Sequence, residues 1–493
     1  MQKENESIIS INKKTLLGIG GLLFAIMIFA GILTQVIPTG AYETDASGNI
    51  ISGTYAEISR ESVGYDFWRI FISPIEMFIN STAEAMTGIV IILVIIIIGG
   101  TFLVLDKSGV LKYIMSTIVN KFSNKKYTLL AIMIFFCMLL SSFAGILEES
   151  LTLVPLAVAI SLSLGWDSFV GLGFSLISVT FGYAAATFNP FNIGIIHTMA
   201  DLPMFSGVLF RIFVFVVIYA ILAGFFILYA KKIEMNPMKS PCYQSDIKLK
   251  EKLLNNDEIE KALQNKMLPK ATKAFASALV AVLVVTIVCL VTNILLGDSA
   301  ISGIIGYLPL ASMAVLFTIG GMRAGKISGL SGKELRGIFV KGAKSILPCA
   351  PIIMIIICVT YILKSGMIID TLLYWVHNYI STLNPYVALA IIFFVICIFE
   401  FFIGSGSAKA FLLMPILLPL VDMIGIGRQN LIVSFCLSDG LCNVLYPTNG
   451  LLMIALSIIN ISYLKYLKCA WKLFLSVLIA SVGLTFIGYA IGY

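Results

Sequence analysis

Glu148 and Glu149 are adjacent carboxylates in a chain where charge is scarce: 12% of the 493 residues are charged and 59% are hydrophobic. They end the stretch Ser141-Ser142-Phe143-Ala144-Gly145-Ile146-Leu147-Glu148-Glu149-Ser150, which lies between the apolar segments 127–140 and 151–164. A second polar stretch, Phe402-Ile403-Gly404-Ser405-Gly406-Ser407-Ala408-Lys409, lies between 385–402 and 410–421. A charge inside a bilayer costs about 3 kcal/mol on insertion scales, so it faces a cavity and has a partner. With Gly145 and Ser150 beside them, the two glutamates could bind a cation or a cationic group, or carry a proton. Gly404, Ser405, Gly406 and Ser407 could present a nest of N–H groups to a carboxylate, with Lys409 nearby. The plainer readings are an ion pair between Lys409 and the glutamates across the two stretches, and close helix packing by small residues.

Two proline-bearing breaks interrupt later apolar segments: Asn189-Pro190-Phe191-Asn192 and Pro447-Thr448-Asn449-Gly450. Proline lacks an N–H and clashes with the preceding turn. Unwound backbone frees carbonyls for a cation and amides for an anion, and it is tolerated at membrane depth only where it lines a cavity. Asn189, Asn192, Thr448 and Asn449 are therefore candidate ligands for Na⁺, with a simple kink as the alternative. Asp439 and Asn443 fall one to two turns before the second break and could join that site, and Glu400 precedes the second polar stretch. His197 and His377 are the only histidines. No HExxH motif, metal-ligand cluster or phosphate-binding glycine loop is present, so no cofactor is expected beyond a coupling Na⁺ or H⁺.

The elements that must position these residues are membrane helices. A spanning helix needs about 20 mostly apolar residues, and the chain holds many such runs. The nine cysteines are scattered without a CxxC pair and read as small buried hydrophobes. The surplus of Lys and Arg, a formal charge of +7, sits in loops and reports orientation rather than nucleic-acid binding. Loops 106–126, 231–271 and 323–345 carry the lysines and arginines, so they read as cytoplasmic, while the acidic loop 38–84 and the lysine-poor loop 364–384 read as external. Within 38–84, Asp66 to Asn80 reads as a helix lying in the interface. The N-terminus is then cytoplasmic and the C-terminus outside. This parity holds with 127–164 and 385–421 as re-entrant hairpins whose polar tips meet near the midplane.

Lys107-Ser108-Gly109 recurs as Lys364-Ser365-Gly366 about 257 residues later, the first in a cytoplasmic loop and the second in an external one. Pro155 matches Pro415, and Asn189-Pro190-Phe191-Asn192 matches Tyr446-Pro447-Thr448-Asn449, at similar offsets. Oppositely oriented repeats with broken helices are a signature of secondary transporters that bind at the midplane. The expected fold is an all-α polytopic membrane protein of inverted repeats, with about nine full spans, two hairpins and two broken helices. The N-terminal repeat is 1–230, with hairpin 127–164 and broken helix 168–200. A polar loop 231–271 and a linking span 272–296 follow, then the C-terminal repeat 297–493, with hairpin 385–421 and broken helix 429–462.

The run Gly145 to Ser150, then Phe188-Asn189-Pro190-Phe191-Asn192, Gly404-Ser405-Gly406-Ser407 with Met414-Pro415, Arg428-Gln429, Asp439-Gly440-Leu441-Cys442-Asn443 and Pro447-Thr448-Asn449-Gly450 resembles the YfcC family of bacterial inner-membrane carriers. That family is similar to the anaerobic C4-dicarboxylate carriers (DcuC-like) of the ion transporter superfamily. The resemblance covers nearly the whole chain apart from 231–271. It implies a homodimer with a scaffold domain and a mobile transport domain, coupling to Na⁺ or H⁺ or exchange, and a small carboxylate-bearing substrate. The resemblance also has departures: Leu153-Val154 stands where an aromatic pair is expected, and Ser438 where glycine is expected. Two acids at the first tip suit a basic amino acid better than a dianion. C4-dicarboxylate or short-peptide carriage is the alternative, and a channel is the reading outside the class. Membrane lipid and a small organic ion are the expected partners, and nucleic acid is not.

Overall fold

The two Lys-Ser-Gly motifs mark two sharp bends. The structure is a computed structural model. It describes all residues except 1–12, 44–50, 52, 81–82, 146, 204–205, 254–263, 297–299 and 381–382; at some helical positions, Glu148, Glu149 and Pro190 among them, it describes the backbone alone. Segments Ile92–Lys107 and Val110–Phe122 meet at 69°, and Ile357–Ser365 and Ile369–Ile380 meet at 75°. Gly109 takes a φ of 79° at the first bend and Met367 a φ of 50° at the second. A left-handed residue cannot continue a right-handed helix, so the chain turns there. These bends correct part of the loop assignment. Loops 106–126 and 364–384 contain the helices Val110–Phe122 and Ile369–Ile380, and loop 323–345 runs into Gly332–Ile346. Lys112 and Lys121 of the first and the lysines and arginine of Gly332–Ile346 lie on amphipathic helices, a pattern that a count of charges reads as loop, while Ile369–Ile380 carries no lysine or arginine. Ser331 and Glu334 cap Gly332–Ile346 reciprocally, and Asp66 to Asn80 forms the short helical turns Phe67–Phe71 and Ser73–Ile79.

Both hairpins form. In the first, Lys126–Ala144 ends at Gly145, whose N–H reaches Ser141 O and whose φ is 70°. A short turn, Glu148–Thr152, then leads into Val154–Ser163, with Pro155 in its first turn. In the second, Pro385–Phe402 passes through 403–405 into Gly406–Ile424, where the Ser405 hydroxyl accepts from the Ala408 N–H. Among the described residues, five helices are long and apolar enough to cross a membrane, or seven with each bent pair as one span. Three of the five are hairpin arms of 18 or 19 residues, at the lower limit for crossing.

The broken helices follow the same plan twice. Ser168–Ala184 stops, and the chain resumes through a wide turn at Pro190–Gly194 into Ile195–Met199; Arg428–Asn443 stops and resumes as Gly450–Ile458. Asp167 caps the first by accepting from the Val170 N–H, and Asn449 caps the resumed second by accepting from the Leu452 N–H. Hairpin arm Lys126–Ala144 runs along the first broken helix as Pro385–Phe402 runs along the second, and the two broken helices pack on each other. They meet closely at Gly440, where an added Cβ would fall 2.2 Å from Ala184 Cβ and 2.8 Å from Ala184 N. Small residues let helix backbones approach this way. The partners are then exchanged: Gly406–Ile424 packs on the first break, and the turn Glu148–Thr152 packs on Gly450–Ile458. Around them, Lys13–Val36 packs on Ala350–Ser365, Ala300–Ile327 packs on Ala83–Lys107, and Leu268–Leu296 pairs with Ala300–Ile327. The chain is thus an all-α multi-pass membrane protein in which one helical plan occurs twice, with, among the described residues, one short two-stranded pairing, Gly40–Ala41 with Ala56–Glu57.

Candidate functional site

The densest charge in the interior lies where the second hairpin meets the second broken helix. Lys409, in the first turns of Gly406–Ile424, is 0% exposed, and so is Asp439, while Glu400 near the end of Pro385–Phe402 is 2% exposed. The Lys409 ammonium pairs with Asp439 Oδ1 at 2.5 Å and also with Glu400 Oε2. It lies 5.8 Å from the centre of the Phe435 ring. Removing these charges from water is costly, and their mutual attraction offsets the cost only while all partners are present. Two carboxylates against one ammonium leave one negative charge in excess.

Asp439 faces a second group through its other oxygen. A Cβ added to Gly406 would sit 2.8 Å from Asn192 Oδ1, 3.2 Å from Tyr183 Oη and 3.3 Å from Asp439 Oδ2. Asp439 Oδ2 is buried with no hydrogen-bond partner among the described residues. The Tyr183 hydroxyl donates to Asn192 Oδ1 at 2.9 Å. Oxygens from both broken helices thus converge on Gly406, too close to admit a side chain there.

The two breaks are held differently. At the first, the Ser142 hydroxyl, from the end of the hairpin arm, donates to Ala185 O at 2.7 Å and accepts from the Thr187 N–H at 3.1 Å. The Thr187 and Phe188 N–H groups also reach Ser142 O. At the second, Asn449 Nδ2 donates to Asn443 Oδ1 at 2.5 Å, and Asn443 Nδ2 donates to Asp439 O at 3.0 Å. Both breaks therefore satisfy freed backbone with local side chains, as buried polar groups must.

The expected site residues divide accordingly. Asn192, Gly406, Lys409, Asp439 and Glu400 come together. Asn443, Thr448 and Asn449 line the second break with buried Pro447, and Asn189 is buried in the first. Of the four expected Na⁺ ligands, Asn192 meets Tyr183 while Asn449 meets Asn443 and its own helix start. Gly404 and Ser405 form the exposed tip of the second hairpin, with Ser407 behind them. Ser150 is buried and bonds back to Leu147 O at 2.6 Å within its own turn. The backbone of Glu148 and Glu149 begins that turn, and Pro190 opens the wide turn of the first break; the side chains of all three lie outside what the structure describes. Tyr183, Thr187 and Phe435 were missed. Tyr183 precedes Asn189 by as many residues as Gly440 precedes Tyr446, so the repeat register could have pointed to it beside Asp439.

Broken helices, paired hairpins and a buried charge group between them define a membrane transporter. A model of the C4-dicarboxylate anaerobic carrier family, DcuC, matches residues 18–490, and the chain belongs to that family. It is 23% identical over 502 aligned residues, covering 95% of this chain and 96% of the relative, to YfcC of Escherichia coli (strain K12), whose name gives it, provisionally, as a basic amino acid antiporter. It is 25% identical over 492 residues, covering 91% and 92%, to an uncharacterized protein of Haemophilus influenzae. Among solved structures, the Alcanivorax borkumensis YdaH transporter has a TM-score of 0.46 at 14% identity, covering 96% of this chain and 99% of that one. Neisseria gonorrhoeae MtrF, described as one of a class of antimetabolite efflux pumps, has a TM-score of 0.46 at 17% identity, covering 95% of this chain and 94% of that one.

Proposed function

We propose that the chain is a secondary active carrier, an antiporter or symporter of the bacterial inner membrane. It carries a small carboxylate-bearing organic ion, in the first place a basic amino acid, by alternating access. The observation behind this reading is the exchange of partners at the centre: each hairpin packs on the broken helix of the other repeat. A solute held there touches both halves, and movement of one relative to the other moves its access from one side to the other. The substrate's carboxylate meets the N-terminal end of Gly406–Ile424, where backbone N–H groups and the helix dipole favour an anion. Its cationic end meets the glutamate-bearing turn Glu148–Thr152. Carriage of a C4-dicarboxylate, favoured by the family's description, would bring a second negative group toward those glutamates, while Lys409 is already paired to two carboxylates. In this reading both hairpins re-enter the membrane side they leave. The N-terminus is cytoplasmic, the C-terminus external, and two copies assemble through the helices outside the hairpin and broken-helix group.

The test is uptake of labelled arginine, lysine, ornithine, succinate and fumarate into proteoliposomes of the full chain. Saturable uptake or exchange of a basic amino acid, abolished in Glu148→Gln and Asn189→Ala, supports the proposal. Saturable dicarboxylate uptake with no amino acid uptake overturns the substrate assignment.

A further inference from the structure

We infer that Asp439, Asn192 and Tyr183, gathered around Gly406, form a site for an alkali-metal cation, adjoining the place of the organic substrate at the start of the same helix. The inference rests on the carrier reading for its role, and on three features of the structure for its location. The first is charge. Glu400 and Asp439 are both buried against the single ammonium of Lys409, so with both carboxyls ionised the group carries one negative charge in excess. Such a charge is strongly disfavoured away from water. One monovalent cation cancels it, and a divalent cation overcompensates.

The second feature is the unused oxygen. Lys409 takes Asp439 Oδ1, while Asp439 Oδ2 is buried without a hydrogen-bond partner among the described residues. The third is what that oxygen faces. Asn192 Oδ1, Tyr183 Oη and Asp439 Oδ2 all lie within 3.3 Å of the point where a Gly406 Cβ would be. Hard cations take carboxylate, carbonyl and hydroxyl oxygens of this kind. An added Cβ would crowd Asn192 Oδ1 at 2.8 Å, so the convergence point is too tight for a methyl group, an ammonium on its stem or a guanidinium, and only a bare ion could enter it.

The site draws on three elements: the tip helix of the second hairpin, the first break and the second broken helix. Without the ion, its excess charge resists closing the hairpin over the breaks. With the ion, closing is electrically neutral at this point. Lys409 acts here as a fixed counter-charge that lets one ion suffice for two carboxylates.

The test is thermal unfolding of the purified full chain in detergent at pH 8, titrated with NaCl, LiCl and KCl against choline chloride at constant ionic strength. The wild type is expected to show a saturable rise in Tm, of roughly 2 °C or more, with one of these cations. Gly406→Ala fills the convergence point and weakens that response at least about tenfold in midpoint concentration. Glu400→Gln removes the excess charge without touching Asp439, Asn192 or Tyr183. It should raise Tm in choline toward the wild-type value in the binding cation and flatten the titration. Because Gly406→Ala alone could perturb the hairpin, both variants must lose the response. A wild type indifferent to all three cations, or one stabilised only by acidification, overturns the site. So does an unchanged response in Gly406→Ala, as would follow if the Asn192 amide turned to donate to Asp439. Cation binding here without amino acid uptake removes the substrate reading and leaves this site standing. Amino acid uptake without any cation effect removes this site alone.

Discussion

The two repeats share a backbone plan and differ in how they carry charge at its centre. The first broken segment, residues 168–199, contains no Asp, Glu, Lys or Arg, and its break is held by Ser142, Thr187, Tyr183 and Asn192. The second places Asp439 in the equivalent helix and joins it to Lys409 and Glu400 of its own hairpin. Around Gly406 the first broken helix thus contributes neutral oxygens, and the second repeat a charge group one short of balance. An inverted repeat built of two equal halves would present the same chemistry to both sides of the membrane. This one gives one half the charge and the other the groups that coordinate it, so neither half completes a site alone.

The largest effect should come from breaking the charged half. Lys409→Ala leaves Glu400 and Asp439 buried together without a cation. Removing one partner of a buried ion pair costs about 3–5 kcal/mol, so the variant should unfold far earlier than the wild type in a detergent melt. Combining Lys409→Met with Glu400→Gln and Asp439→Asn removes all three charges and should recover most of that stability without any transport. If Lys409→Ala melts like the wild type, the triad is not buried as described and the contrast between the halves fails.

The seam between the halves offers the next test. Gly440→Val adds its Cβ against the Ala184 backbone, where overpacking costs about 1–3 kcal/mol. The broken helices are pushed apart, so transport should fall more steeply than stability. Ala184→Gly in the same chain removes the nearest atom and should restore part of both, measured as uptake and Tm. Additive losses in the double variant would show that the two residues do not meet.

The fold was largely legible because its signals are strong ones. Apolar length marked the helices, Pro190 and Pro447 marked the breaks, and the repeated Lys-Ser-Gly located both bends. The amphipathic helices Val110–Phe122 and Ile369–Ile380 were missed because their exposed faces read like loops. The site was legible only in part. Asp439 and Glu400 were named singly, but nothing in the order of residues says that Lys409 lies between them, since that depends on how Gly406–Ile424 is rotated. Tyr183 looks like any aromatic in an apolar helix, and Gly406 looks like a packing glycine. What matters at Gly406 is the side chain it lacks, and sequence spacing cannot show what surrounds an absence.

The smallest expected effect sharpens the comparison from the first broken helix, where buried carboxylates lie at its start rather than at its break. Asp167, at the start of Ser168–Ala184, accepts from the Ser240 hydroxyl at 2.6 Å and the Tyr229 hydroxyl at 2.8 Å. Asp246, from the helix Tyr243–Leu253 in the polar loop, accepts from the Ser168 N–H at 3.0 Å and from its hydroxyl. Burial first, and then the nearby Asp167, push the Asp246 carboxyl up to about 7, against hydrogen bonds from Ser168 and the charge of Lys250. Asp167 is also raised, by burial. A carboxyl whose pKa is higher in the docked state than in the undocked chain takes up a proton on docking. Its stabilisation is therefore complete below the ordinary carboxylate range, falls as pH rises toward about 7, and is flat above. Hydrogen exchange of residues 243–253 in the full chain should accelerate between pH 5 and 8 beyond the intrinsic pH effect. Asp246→Asn, neutral throughout, should reduce that excess to the part that Asp167 contributes and leave the remainder of the chain unchanged. An identical pH profile in wild type and Asp246→Asn would mean that this end of the first half is as insensitive to charge as its centre.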